Sequence, residues 1–339
     1  MKHRLPLTLL VLISFLGMNL QACIPEATKT ELATPASVHL KVMVLPYLSY
    51  APLYIAQEEG YFKEQGLDVE FLRMDDTGES ITALAQGQLD ISTGTIEISV
   101  LNAINKDTHI KYVADKGYFD PNQCDYAAWV ARKDLVESGK LDDLKNVAGM
   151  KVQLGTAGTE EYFFDLLVKD AGLSSADVAG IDLPPPTILE SFQNGSLDIS
   201  FSAEPWVTRA FNAGAVDWKS LNQYMADFPL SLIFFGPNML DKNPEAGKRF
   251  MAAYLKGVRQ YNLGKTDRNV EIIAKSTQLK PEEIKSVCWQ TIKSDGTINL
   301  QKVMDFQNWA VSKGYLQNAL TQEQLWDPQF IEYANKELH

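Results

Sequence analysis

The sequence predicts an α/β protein of two related lobes, each built on a sheet with a parallel core. Three observations carry this expectation. The chain has 339 residues, 45% hydrophobic and 22% charged. That is enough apolar content for a packed core and, at roughly 100–200 residues per domain, enough length for two domains. A motif occurs twice: Gly87-Gln88-Leu89-Asp90-Ile91-Ser92 and Gly195-Ser196-Leu197-Asp198-Ile199-Ser200 share G-x-L-D-I-S. Strand-like and helix-like stretches alternate around both copies, as in β-α-β units with right-handed crossovers.

The N-terminus comes first. Lys2 and Arg4 precede an uncharged, mostly apolar run from Leu5 to Ala22 that ends at Cys23. A basic start, a short apolar core and a small residue before the cut describe a secretory signal peptide, and the run is short for a bilayer span. Leu20-Gln21-Ala22-Cys23 resembles a bacterial lipobox. The expectation is a signal peptide over 1–22, removed to leave a lipidated Cys23, with lipid replacing a spanning helix. Residues 23–37 hold Pro25, Pro35 and several Thr and Ala without apolar period, and read as a flexible tether.

The first lobe is expected over 38–127. Lys41-Val42-Met43-Val44 opens it, a helix follows from Pro52 to Gln65 closed by Gly66, and an extended segment runs from Leu67 to Leu72. A second amphipathic helix leads to Gly87, a C-terminal cap position needing φ > 0, and to a strand over Leu89–Thr93. The second lobe, 128–229, repeats the plan. Lys151-Val152-Gln153-Leu154 leads to a helix over Thr159–Ala171 capped by Gly172, then to Gly180–Leu183, Gly195 and a strand over Leu197–Phe201. Ile110–Ala114, Ala127–Arg132 and Leu230–Phe235 read as strands where the chain crosses between lobes. Residues 230–339 return to the first lobe and read almost wholly helical from Pro244, with Phe250, Tyr254, Leu255 and Val258, then Val303, Phe306, Ala310 and Val311, at core-facing helical spacing.

Composition excludes several function classes. With 31 basic and 43 acidic residues the net charge is −12, so no nucleic-acid partner is expected, since phosphate contacts need clustered cations. The only cysteines are Cys23, Cys124 and Cys288, and the histidines His3, His39, His109 and His339 are scattered. No metal site, cofactor or catalytic residue is expected. Cys124 and Cys288 read as two free structural thiols, with a disulfide as the alternative in an oxidising compartment.

In open parallel sheets ligands bind beyond the carboxyl ends of the strands. That rule selects Pro46–Tyr50, Asp75–Ser80, Thr93–Thr95, Gly155–Thr159 and Ser202–Trp206. Ser49, Thr77, Thr95, Thr156 and Thr159 offer hydroxyls at helix starts, suited to an anionic group and equally to capping. Gly155–Thr159 lacks the lysine of a phosphate loop. Tyr47, Tyr50, Tyr162 and Trp206 suit a flat, partly apolar ligand. Glu204 either accepts hydrogen bonds from ligand amino groups or stabilises the start of its own helix, ahead of Pro205.

Ala51-Pro52-Leu53-Tyr54-Ile55-Ala56-Gln57-Glu58-Glu59-Gly60-Tyr61-Phe62-Lys63-Glu64-Gln65-Gly66-Leu67-Asp68-Val69-Glu70 resembles the opening signature of bacterial solute-binding proteins for nitrate, sulfonates and thiamine-pyrimidine precursors. The stretch Leu141–Val152 resembles the start of their second lobe, and Asn243-Pro244-Glu245 their return helix. The resemblance implies a two-lobed periplasmic-binding-protein fold (type II, Venus-flytrap) and capture of a small molecule between the lobes. Its partners would be the transmembrane permease subunits of an ABC importer with their ATPase. Tyr47, Ser49, Thr95, Thr156 and Glu204 fall where family members contact ligand. The expected protein is an exported, lipid-anchored monomer and not an enzyme. Its ligand is a thiamine-precursor pyrimidine or similar nitrogen heterocycle, with an aliphatic sulfonate, nitrate or similar anion as the alternative. The fold also includes a eukaryotic pyrimidine synthase whose cysteine-rich motif and histidine chemistry this chain lacks. A biosynthetic enzyme and a sensor domain are the readings from other classes.

Overall fold

The computed structural model describes residues 37–339 except 46, 75 and 76. The expected signal peptide and Cys23 lie outside the described residues, as does the expected tether up to residue 36. Ten strands form two five-stranded sheets among the described residues. The strands are β1 (Val38–Val44), β2 (Leu67–Arg73), β3 (Ile91–Thr95), β4 (Lys111–Tyr118), β5 (Ala127–Arg132), β6 (Lys151–Gln153), β7 (Ala179–Ile181), β8 (Ile199–Ala203), β9 (Ala215–Ser220) and β10 (Pro229–Phe235).

The first sheet has the order β2-β1-β3-β10-β4 and the second β7-β6-β8-β5-β9. In each, the central strand of a β-α-β-α-β unit pairs in parallel with its two partners: β1 with β2 and β3, β6 with β7 and β8. In each, the fourth position is an antiparallel strand, β10 in the first sheet and β5 in the second. The chain therefore crosses twice, through 119–126 and 221–228. Phe234, Phe235, Leu232, Trp129 and Val130 are buried on these strands, as expected of strands covered on both faces.

The G-x-L-D-I-S repeat has a structural purpose. The glycines take φ of +69° at Gly87 and +71° at Gly195, ending the preceding helices. The aspartates then tie each strand to its neighbour before the strand begins. Lys41 N–H donates to Asp90 Oδ2 at 2.8 Å and Asp90 N–H returns a bond to the Lys41 carbonyl. Lys151 and Asp198 do the same, at 2.9 Å. The second carboxylate oxygen receives Asn238 Nδ2 in one lobe and Arg132 Nη1 in the other, at 2.7 and 3.1 Å. Both strands consequently begin two residues later than expected, at Ile91 and Ile199.

Other departures are local. The expected helix 52–65 is two helices, Ala51–Glu58 and Tyr61–Glu64, divided at Gly60, whose φ of +78° a continuing helix cannot hold. The helix from Thr159 stops at Val168 and tightens into a 3₁₀ turn before Gly172. The C-terminal region packs the helix Pro244–Tyr261 against Ala51–Glu58 and Gln329–Glu337. The close approach needs Gly257, where a Cβ would stand 2.4 Å from the Pro52 carbonyl oxygen. This region is less helical than expected, because 287–299 is irregular and joins the first sheet through a few bonds to β4, at Tyr118 and Asp115. Cys288, in that segment, forms a disulfide with Cys124, the Cα atoms 5.9 Å apart. The reading of two free thiols is thereby corrected: Cys124 is exposed on the first crossover, within reach of its partner. No helix among the described residues is long and apolar enough to cross a membrane.

Candidate functional site

A cavity of about 640 Å³ lies between the carboxyl ends of the parallel strands of the two sheets. The first lobe supplies the loop after β1, with Tyr47, Ser49 and Tyr50, the helix start at Thr77, the end of β3 at Gly94 and Thr95, and Lys116 from β4. The second lobe supplies Gly155–Glu160 after β6, Asp182–Pro184 after β7, and Phe201–Ala203 at the end of β8 with Trp206 beyond it. Five aromatic residues line it: Tyr47, Tyr50, Tyr126, Phe201 and Trp206.

Lys116 is the cavity's buried cation. Its Nζ donates to Ser49 Oγ at 2.8 Å and stands 3.7 Å from the centre of the Tyr50 ring. Burial pushes the ammonium down to about 7, against the pull of the neighbouring Asp115 carboxylate. Asp115 faces away from Lys116 along the strand and accepts Lys293 N–H and Gly117 N–H at 2.8 and 3.1 Å; burial nonetheless pushes it up to about 7. Thr77 is buried against β3, where only glycine fits: a Cβ on Gly94 would meet Thr77 Oγ1 at 2.0 Å.

The wall from the second lobe is acidic, and two N–H groups of its loop, at Gly155 and Ala157, are already engaged. Gly155 N–H and Gln153 Nε2 donate to Glu160 Oε2 at 2.9 and 3.1 Å, and Ala157 N–H donates to Glu161 Oε2 at 2.8 Å. The helix that begins at Thr159 thus supplies carboxylates to its own leading loop. Desolvation pushes Glu160 up to about 7, opposed by those hydrogen bonds and reinforced by the charges of Asp182 and Glu97. Burial and the charge of Glu160 raise Tyr47 in turn, which brings the first lobe's tyrosine and the second lobe's carboxylate to one place. Glu97, on the first lobe, accepts Thr95 Oγ1 at 2.8 Å.

Tyr47, Ser49, Tyr50, Thr77, Thr95, Thr156, Thr159 and Trp206 line this one cavity. Two expected residues do not. Tyr162 turns into an aromatic cluster with Phe163, Phe228, Phe306 and Trp309, at centroid distances of 5.4–6.0 Å. Glu204 is buried and serves its own helix start, accepting Thr208 Oγ1 at 2.9 Å and Thr208 N–H at 3.2 Å. These contacts are those of the capping one of the two readings. Lys116, Glu97, Glu160, Asp182, Tyr126 and Gln290 line the cavity without having been expected there. Lys116 alone carried a signal, a charged pair directly after the apolar stretch Tyr112–Ala114 of β4. No group of His, Cys, Asp and Glu among the described residues is arranged to hold a metal ion.

Two sheets exchanging strands, with a cavity at their facing edges, define a two-lobed α/β fold with a ligand-sized cleft. Solved structures share this fold. The periplasmic aliphatic sulphonate binding protein SsuA from Escherichia coli superposes with a TM-score of 0.69 at 14% identity, over 87% of this chain and 94% of that one. The periplasmic nitrate-binding protein NrtA from Synechocystis PCC 6803 gives 0.69 at 15% identity, over 89% of each. The desulfurization enzyme DSZB gives 0.62 at 12%, over 89% of this chain and all of that one. The protein therefore has the periplasmic-binding-protein fold, a fold that also carries an enzyme.

Among curated relatives, the putative binding protein YtlA of Bacillus subtilis is 33% identical over 138 residues, 39% of this chain and 36% of that protein. The taurine-binding periplasmic protein of Escherichia coli is 24% identical over 226 residues, 66% and 67% of the two. The chain thus spans about a third of the first relative's length and two thirds of the second's. The NMT1/THI5-like family model matches residues 48–262, and the chain belongs to that family.

Proposed function

We propose that this protein is the solute-binding component of an ABC importer and that it captures a small, flat nitrogen heterocycle bearing an amino group, such as a pyrimidine precursor of thiamine. In this reading it is exported, held to the membrane by lipid on Cys23, monomeric, and active by binding rather than turnover. The binding-protein relatives support the transport role. Closure of the lobes around the ligand would present the permease with the loaded form, which requires tighter binding to the closed state than to the open one.

The observation that carries the choice of ligand is the occupation of the loop after β6 by Glu160 and Glu161. A sulfonate there would have to displace carboxylates from the N–H groups it needs. Glu97, Glu160 and Asp182 instead suit amino groups, and the aromatic residues suit a flat ring. Aliphatic sulfonates and nitrate are the second reading, favoured by the taurine-binding relative and by Lys116.

Thermal unfolding of the purified protein with each of 4-amino-2-methylpyrimidine, thiamine, taurine, propanesulfonate and nitrate tests this. An amino-heterocycle at a hundredfold excess over its dissociation constant should add about 2.7 kcal/mol of stability, and chromatography should recover it unchanged. Stabilisation by the anions alone would overturn the heterocycle reading, and chemical conversion of the ligand would overturn the binding-only role.

A further inference from the structure

Gln290 is 2% exposed, lines the cavity, and neither its Nε2 nor its Oε1 has a hydrogen-bond partner among the described residues. Leaving both ends of a buried amide unpaired is unfavourable. The rest of the residue is pinned. Its carbonyl accepts the Tyr261 hydroxyl at 2.9 Å. Two residues earlier Cys288 is bonded to Cys124, and the next residue, Thr291, accepts Tyr118 N–H at 3.0 Å. Trp289 stacks on Tyr261 with centroids 5.0 Å apart. The strand beside it makes room: a Cβ on Gly117 would stand 2.1 Å from Gln290 Cδ and Nε2. An irregular segment is thus tied down on several sides, and a glycine reserved, to hold an amide that bonds to nothing among the described residues.

We propose that Gln290 is a specificity-determining residue whose amide pairs with an adjacent donor–acceptor edge of the ligand, the N=C–NH₂ edge of an aminated heterocycle. The inference rests on the transport reading above and narrows its substrate class. A ring nitrogen accepts from Nε2 while the exocyclic amino group donates to Oε1, which satisfies both orphaned atoms. Sulfonate and nitrate offer acceptors only and leave Oε1 without a donor. A site built to hydrogen-bond a ligand group discriminates against analogues lacking that group, because its own buried polar atoms are then left unpaired.

Isothermal titration of the full-length protein tests this, using the wild type, Gln290→Met and Gln290→Glu with 4-amino-2-methylpyrimidine, its N,N-dimethylamino analogue and propanesulfonate. The wild type should prefer the primary amine to its dimethyl analogue, and Gln290→Met should lose about tenfold or more in affinity for the primary amine together with that preference. Gln290→Glu, which keeps only acceptors, should also lose affinity. Without ligand, Gln290→Met should melt at or above the wild-type temperature, since it removes an unpaired buried amide; a purely structural glutamine would make it melt lower. Equal affinity of wild type and Gln290→Met for the aminopyrimidine overturns the role of Gln290 and leaves the transport reading intact, as does a lower ligand-free melting temperature. Wild-type binding of propanesulfonate but not the aminopyrimidine overturns the proposed substrate class and keeps the solute-capture role. Binding of none of the probes overturns both.

Discussion

Replacing both Cys124 and Cys288 by serine should lower the unfolding free energy by about 2–5 kcal/mol. The bridge closes a sequence separation of 164 residues, so it removes much of the unfolded chain's freedom, although the gain grows only slowly with loop length. It also joins the first crossover between the lobes to the irregular segment carrying Gln290. Denaturant unfolding of the oxidised, reduced and doubly substituted proteins measures the effect. The reduced and substituted proteins should agree with each other and unfold at lower denaturant than the oxidised one. Coincident curves for all three would mean that the bridge contributes nothing.

Asp90→Ala and Asp198→Ala should each destabilise by about 1–3 kcal/mol. In one lobe the change leaves Lys41 N–H and the Asn238 amide without their carboxylate, and in the other Lys151 N–H and the Arg132 guanidinium. Asp→Asn at either site, which keeps one acceptor oxygen, should recover part of the loss. Chemical denaturation of the four variants checks this, and a loss below a few tenths of a kcal/mol would assign the clamp no energetic role.

These two predictions differ in how far the sequence foretells them. G-x-L-D-I-S is legible because it combines a glycine for positive φ, a buried leucine and an aspartate that caps a neighbouring strand, all within six residues. What the motif does not reveal is the exchange of strands. β10 enters the first sheet from a position far along the chain, and β5 enters the second before that lobe's own parallel unit begins. Arg132, the last residue of β5, and Asn238, just past β10, then play corresponding parts that no local pattern announces. The disulfide is equally nonlocal, since a separation of 164 residues carries no spacing signal.

The candidate site divides along the same line. Tyr47, Ser49, Thr95 and Thr156 are legible because they sit on loops that follow parallel strands, and topology alone brings those loops together. Tyr162 and Glu204 mislead because one turn of helix decides between cleft and core: Tyr162 falls on the face packed against Phe306 and Trp309, and Glu204 bends back to Thr208. Gln290 comes from a segment without periodicity, placed by Cys124 and Tyr118, and nothing near it in the chain marks it.

The claim that one solute is held between both lobes is tested most directly by titrating the bound heterocycle into the wild type and into Tyr47→Ala and Trp206→Ala, one change in each wall of the cavity. Both side chains are partly exposed, so both variants should fold. The wild type should bind one equivalent, and each variant should weaken binding by about tenfold or more, the loss expected for removing an aromatic contact from a ligand pocket. Wild-type affinity in either variant would place the ligand on a single lobe or outside the cavity, and would contradict the account.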